Sequence, residues 1–344
     1  DPVAQLSELE PKRNPAIPLP REIFGAARRN SAGLDLSDPL VREPLLKRLK
    51  ALEARNWSGS PTGKSGGKGR AVRSPHNHDV TVGTIVEAAK TDIDRMVKSA
   101  MAAQPAWDAL GGMSRAQLLD RAADLFEEHR EEFFSLCIRE AGKTLPDAVL
   151  EVREAVDFLR FYALEGRRDF ARPMLLPGPT GERNELRLHG RGVFACISPW
   201  NFPLAIFLGQ VTAALAAGNS VLAKPAEQTP LIASEAVRIL HEAGIPAGAL
   251  HFVPGDGAVG AALVADPRIA GVAFTGSTQV AQAINRALAA RPGAILPLIA
   301  ETGGINAIVA DATALPEQVA DDVVASSFRS AGQRCSASRL LFVQ

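Results

Sequence analysis

From residue 186 onward, short and nearly unbroken apolar runs alternate with longer stretches of helical period. Leu186 and Leu188 lead in, and the runs at 193–197, 220–223, 250–253, 271–275 and 294–300 then have the look of strands covered on both faces. Between them, 203–217, 231–243, 258–265 and 278–290 repeat at helical spacing. Strand, helix, strand in steady succession implies right-handed crossovers, so an α/β fold with a doubly wound, parallel, Rossmann-type sheet is expected. Upstream, from Thr91, the pattern is helical. Ser114 with Gln117 has the form of a capping box ahead of Leu118, Leu119, Ala122, Leu125 and Phe126. A further helix is expected near Pro146, capped by Thr144, with Asp147, Glu151, Arg153 and Glu154 on its solvated face. After residue 304 a second α/β unit begins, with strands at 307–310 and 339–343 around a helix at 317–330.

The remainder of the chain reads differently. Residues 1–57, with Pro11, Pro15, Pro18 and Pro20 close together and short helical patterns at 39–55, have the character of a connector from a preceding domain. Residues 58–78 include Gly59, Gly63, Gly66, Gly67 and Gly69 with Lys64 and Lys68, a composition expected of a flexible, solvated loop. Residues 79–303 then form the nucleotide-binding domain with its N-terminal helices, and 304–344 the truncated start of a catalytic domain. The start at Asp1 and the stop at Gln344 suggest part of a longer polypeptide.

Composition narrows the chemistry. Lys plus Arg and Asp plus Glu number 38 each, so no net field draws the chain to nucleic acid or an anionic membrane. The most apolar stretch, 203–223, is broken by Gln210, Thr212, Gly218 and Asn219, which fits a buried helix and strand and no membrane span. Three cysteines without short ligand spacing point to a reducing cytoplasm and to neither a disulfide framework nor a metal site. His76 and His78 lack further ligands nearby, so no metal is assigned.

Three residues far apart in sequence carry the candidate chemistry. Cys335 lies in Gly332-Gln333-Arg334-Cys335, Glu301 in Glu301-Thr302-Gly303-Gly304, and Asn201 in Pro199-Trp200-Asn201-Phe202-Pro203. A thiolate attacks carbonyl carbon, a carboxylate takes protons, and a carboxamide N–H holds an oxyanion. A lone free Cys is more often a small buried hydrophobe, the role expected of Cys137 and Cys196. For a dinucleotide, Gly255 to Gly260 has the G-x-G-x-x-G form, yet no acid follows between 271 and 285 to take the ribose. Lys224 and Glu227, just past a strand, are the better ribose candidates, against a plain surface ion pair. Thr275, Gly276 and Ser277 open a helix toward a pyrophosphate, with Ser277 also a possible N-cap.

Taken together, Pro199-Trp200-Asn201-Phe202-Pro203, Lys224-Pro225-Ala226-Glu227, Phe274-Thr275-Gly276-Ser277, Glu301-Thr302-Gly303-Gly304 and Gly332-Gln333-Arg334-Cys335 resemble the aldehyde dehydrogenase superfamily in order and spacing. The resemblance runs from about residue 79 to the end and implies an aldehyde dehydrogenase-like fold. It implies Cys335 as nucleophile, Glu301 as general base, and Asn201 with the Cys335 backbone N–H as oxyanion hole. NAD would be held by Ser198, Pro199, Trp200, Lys224, Glu227, Gly257, Thr275, Gly276, Ser277, Thr302 and Gly303. NAD is expected over NADP because the Glu227 carboxylate repels a 2′-phosphate. The run Glu140-Ala141-Gly142-Lys143-Thr144 and the segment Arg29 to Leu36 are similar to the 1-pyrroline-5-carboxylate dehydrogenase branch in bifunctional proline utilization A. That branch implies glutamate semialdehyde as substrate, a homo-oligomer, and an upstream proline dehydrogenase domain, with FAD present only if that domain precedes this chain. Substrate-anchoring residues are expected after Gln344. An acylating dehydrogenase and an inactive scaffold piece are the alternatives.

Overall fold

The computed structural model describes residues 14–63 and 67–344. Calls on Pro11, Lys64 and Gly66 lie outside the described residues. Strands, in chain order, are β1 (Trp57–Gly59), β2 (Arg70–Arg73), β3 (Thr81–Ile85), β4 (Met174–Leu176), β5 (Asn184–Leu186), β6 (Val193–Ile197), β7 (Ser220–Lys224), β8 (Leu250–Phe252), β9 (Ile269–Gly276), β10 (Leu298–Thr302), β11 (Asn306–Ala310) and β12 (Ser338–Val343). Helices are α1 (Pro39–Leu52), α2 (Lys90–Ala109), α3 (Gly111–Glu128), α4 (Arg130–Arg139), α5 (Leu145–Phe170), α6 (Ala205–Ala216), α7 (Pro230–Glu242), α8 (Gly257–Ala265), α9 (Thr278–Ala289) and α10 (Pro316–Phe328).

At the centre is a five-stranded, all-parallel sheet in the order β10-β9-β6-β7-β8. Because side chains alternate across a strand, β6 sends Val193, Ala195 and Ile197 into one apolar cluster with α2, α8 and α9. Phe194 and Cys196 point into the other, with α3 to α7. Both faces are therefore covered, as the unbroken apolar runs require. Chain order reverses between β6 and β9, so a crevice opens at their carboxyl ends, where doubly wound sheets bind ligands.

Four expectations are corrected. The 58–78 stretch is not wholly a loop, since its ends finish β1 and form β2 of a three-stranded sheet ordered β1-β3-β2. Trp57, Val72, Val82 and Ile85 bury against the core there, and the surrounding glycines hide that signal. Ser114 is no cap, because α3 begins at Gly111 and already contains it. The last strand of the sheet begins at Leu298 and not at residue 294, since Pro297 has no N–H to give a ladder. Asp147 and Glu151 are buried rather than solvated. Thr144 does cap α5, accepting from Asp147 N at 3.3 Å.

Ser31, later in the expected connector, is tied to the helical layer: Asp157 accepts from Ser31 N (2.7 Å) and Ser31 Oγ (2.9 Å). Strands β11 and β12 pair in parallel around α10, as the 304–344 pattern implies. Among the described residues no helix is long and apolar enough to cross a membrane.

Candidate active site

The crevice at the β6/β9 switch point is a cavity of 810 Å³. Its walls are turns at the carboxyl ends of strands together with the faces of α8 and α9, which bring Gly260, Val264, Val280 and Ile284. Ser198, Pro199, Trp200 and Asn201 follow β6, and Lys224 and Glu227 follow β7. Gly257 opens α8. Thr275 and Gly276 end β9, with Ser277 beyond, while Thr302 ends β10 with Gly303 next. Eleven expected cofactor residues thus line one cavity, together with Asn201 and Cys335.

Ser277 also caps α9, accepting from Val280 N at 3.3 Å, so its two candidate roles are compatible in one position. Asp256 caps α8 through Ala258 N (2.9 Å) and Val259 N (3.3 Å). A Cβ on Gly257 would meet nothing within 4 Å, so the cavity floor there is open.

Lys224 is not half of a surface pair. Its side chain is 5% exposed, Nζ donates to Pro225 O at 3.0 Å, and Glu227 Oε2 lies 4.0 Å away. Burial lowers the ammonium pKa, and the carboxylates of Glu227, Asp256 and Glu87 oppose that shift. A buried ammonium with so few partners and a buried Ser198 Oγ without any hydrogen-bond partner are polar groups awaiting a polar ligand. They fit the ribose and phosphate chemistry of a dinucleotide.

Gln210 supports the switch point. With its amide nitrogen toward Ile197 O (3.2 Å), its oxygen accepts from Thr275 Oγ1 (2.8 Å) and Thr275 N (3.1 Å), tying β6 to β9. In the sequence this residue is only an interruption in an apolar run.

Cys335 is exposed, whereas Cys137 and Cys196 are buried. Burial pushes the Cys196 thiol up to about 12 and the Cys137 thiol well above its ordinary value, so both are inert at neutral pH. The Cys335 loop is held by its carbonyls. Asn201 Nδ2 donates to Gln333 O (2.8 Å), Arg339 Nη2 to Gly332 O (2.7 Å), and Asn306 Nδ2 to Cys335 O (2.6 Å) and Ala337 O (3.0 Å). Arg334 Nη2 reaches Ala325 O and Ser326 O, near the C-terminus of α10. Just before the cysteine, Ser330 and Ala331 both adopt φ 54°, a left-handed conformation that L side chains rarely take.

A second cavity, of 570 Å³, meets the first at Cys335. Asp147, Glu154, Asp157, Arg153 and Arg329 line it with Phe202 and Ile206. Cys335 thus stands between a cavity with dinucleotide-like polar groups and one carrying charges of both signs. Asn201 reaches the cysteine loop through its amide. Glu301 is not brought in: it is exposed on β10, opposite Thr275, and lines neither cavity, although Thr302 and Gly303 line the larger one. Three residues missed by sequence reasoning, Gln210, Asn306 and Arg339, act on backbone or strand ends across the fold. Only their polarity beside the motifs could have hinted at them.

Residues 62–344 match the model of the aldehyde dehydrogenase family. The chain is 46% identical over 358 aligned positions to the bifunctional protein PutA of Escherichia coli, covering all of this chain and 26% of that protein. A variant structure of Bradyrhizobium japonicum proline utilization A superimposes with a TM-score of 0.84 at 55% identity, over 96% of this chain and 31% of that one. A Thermus 1-pyrroline-5-carboxylate dehydrogenase with bound NAD gives a TM-score of 0.84 at 32% identity, over 98% of this chain and 64% of that one. The chain therefore spans about a quarter of the length of its E. coli relative. With the family's model matched across most of its length and the motif residues gathered around one crevice, this chain belongs to the aldehyde dehydrogenase family.

Proposed function

We propose that the protein oxidises L-glutamate γ-semialdehyde to L-glutamate with NAD, through a thioester on Cys335, as the second step of proline catabolism in the cytoplasm. The observation that carries this reading is the position of Cys335 between two cavities, one suited to a dinucleotide and one to a small charged aldehyde. The carboxylates of Asp147, Glu154 and Asp157 suit an ammonium group, and the guanidiniums of Arg153 and Arg329 suit a carboxylate. Both groups are present on an amino-acid semialdehyde.

In this reading the Cys335 sulfur bonds to the aldehyde carbon, and the Asn201 amide supplies one donor to the resulting oxyanion. Asn201 Nδ2 already spends one N–H on Gln333 O and has a second for the substrate. Lys224 and Glu227 would hold the ribose of bound NAD, and Thr275, Gly276 and Ser277 would face its pyrophosphate. The chemistry that bound NAD supplies is a hydride acceptor. Once the carbon reaches the acid oxidation level, Glu301 takes a proton from the water that cleaves the thioester. To do so its side chain must turn into the cavity that Thr302 and Gly303 line. An upstream proline dehydrogenase domain, with FAD, belongs to the same proposal, as does a homo-oligomer.

The test is steady-state turnover of the full-length protein with NAD and a panel of aldehydes. Preference for glutamate semialdehyde is expected. Preference for simple aliphatic aldehydes would overturn the substrate, and no NADH from any aldehyde would overturn the activity. A second reading, acyl transfer to a thiol acceptor, is favoured by the position of Glu301 outside both cavities. Glu301→Gln separates the two. A hydride burst with trapped thioester supports hydrolysis, whereas unimpaired turnover that requires an added thiol supports transfer.

A further inference from the structure

The two turns that carry Asn201 and Lys224–Glu227 are each fixed by a buried carboxylate, and both carboxylates come from one stretch of chain, Glu151 also lining the smaller cavity beside Cys335. Glu151, on α5, accepts at Oε1 from Leu204 N and Ala205 N, both at 3.0 Å. These are the N–H groups where α6 begins, directly after the Asn201 turn. Its other oxygen pairs with Lys143 Nζ at 3.1 Å, and that ammonium lies 4.7 Å from the Phe202 ring centroid. Glu140, just past α4, accepts at Oε1 from Leu231 N (2.7 Å) and at Oε2 from Ile232 N (2.8 Å). These open α7, directly after the Lys224–Glu227 turn. Both carboxylates are almost wholly enclosed, at 3% and 1% residue exposure.

A surface cap would have satisfied the same N–H groups from within each turn at little desolvation cost. A buried acid from a distant helix costs more and gives something a local cap cannot: it fixes the turn relative to a second layer of the fold. We propose that Glu140 and Glu151 are positioning residues with different targets. Glu140 sets the cofactor turn alone. Glu151 sets the turn that both lines the cofactor cavity and ties, through Asn201 to Gln333 O at 2.8 Å, to the cysteine loop. The proposal rests on the function above, and its test does not depend on turnover.

In the full-length protein, NAD affinity is measured by calorimetry and the rate of Cys335 alkylation by iodoacetamide is followed by peptide mass spectrometry, for Glu140→Gln and Glu151→Gln. Both variants are expected to weaken NAD binding about tenfold. Only Glu151→Gln is expected to raise the alkylation rate, threefold or more, with Glu140→Gln within twofold of the parent. Equal acceleration in both variants, or no change in Glu151→Gln, overturns the assignment. Glu140→Asp and Glu151→Asp keep the carboxyl group but withdraw it from the N–H groups, and they must show the same split if the Gln variants do not fold. A parent protein that binds no NAD would sink the functional reading itself, and the alkylation split would still decide the link from Glu151 to the cysteine loop.

Discussion

Asn201 illustrates what single residues contribute here. Its amide is both a donor to the cysteine loop and part of the cavity wall. Asn201→Ala should lower kcat by about 10²–10³, the usual effect of removing one preorganised oxyanion donor. Stopped-flow measurement of the NADH burst checks this, and an unchanged burst would remove Asn201 from the oxyanion hole. His251 makes a second residue-scale case. Burial lowers its imidazole to about 4 from the ordinary 6.5, and Nε2 sits 3.1 Å from Gly248 O. The unfolded chain takes up that proton as pH falls through 6.5, whereas the folded chain resists until about pH 4. Stability is therefore lost as pH falls across that window. Urea midpoints at pH 7.5 and 4.5 should differ less in His251→Leu than in the parent, and an equal difference would exclude His251 as a source of the acid sensitivity.

At the scale of elements, strand pairing leaves little room for change. A Cβ on Gly83 of β3 would stand 2.1 Å from Trp57 O on the neighbouring β1, against backbone that cannot swing away. Gly83→Ala should cost about 3 kcal/mol, the upper end of what overpacking does. Chemical denaturation measures it, and a loss under about 0.5 kcal/mol would show that β1 is not held as described. The same elements explain what was legible. Strands β6, β7 and β9 were readable because each is apolar on both faces, α7 and α9 because each buries a stripe between polar positions, and α6 and α8 because they are small or apolar nearly all round. Strands β1, β2 and β3 are short, each contains or borders a glycine, and their few apolar residues stand among Ser, Thr or Arg, so their burial in the core gave no local signal.

Across the whole molecule, the larger cavity is built by turns from four strands of one sheet and the faces of α8 and α9, while Cys335 arrives on a loop from beyond that sheet. Cofactor binding should thus survive loss of the nucleophile. Cys335→Ser should abolish aldehyde turnover, yet NAD at one hundred times its Kd should still stabilise the variant by about 2.7 kcal/mol. Thermal shift together with turnover tests this. Near-normal turnover would exclude Cys335 as nucleophile, and no shift would separate the sheet crevice from NAD. The sequence by itself determined the parallel α/β sheet and the ordered motifs, because period, turn chemistry and spacing are local properties. Only the tertiary structure decided that Cys335 stands between two cavities, that Glu301 lines neither, that Glu140 is a buried cap, and that Glu151 is one too and not part of a solvated face. The N–H groups those two acids satisfy lie 91 and 53 positions away in the chain, and no local pattern of hydrophobic and polar residues registers a partner at that distance.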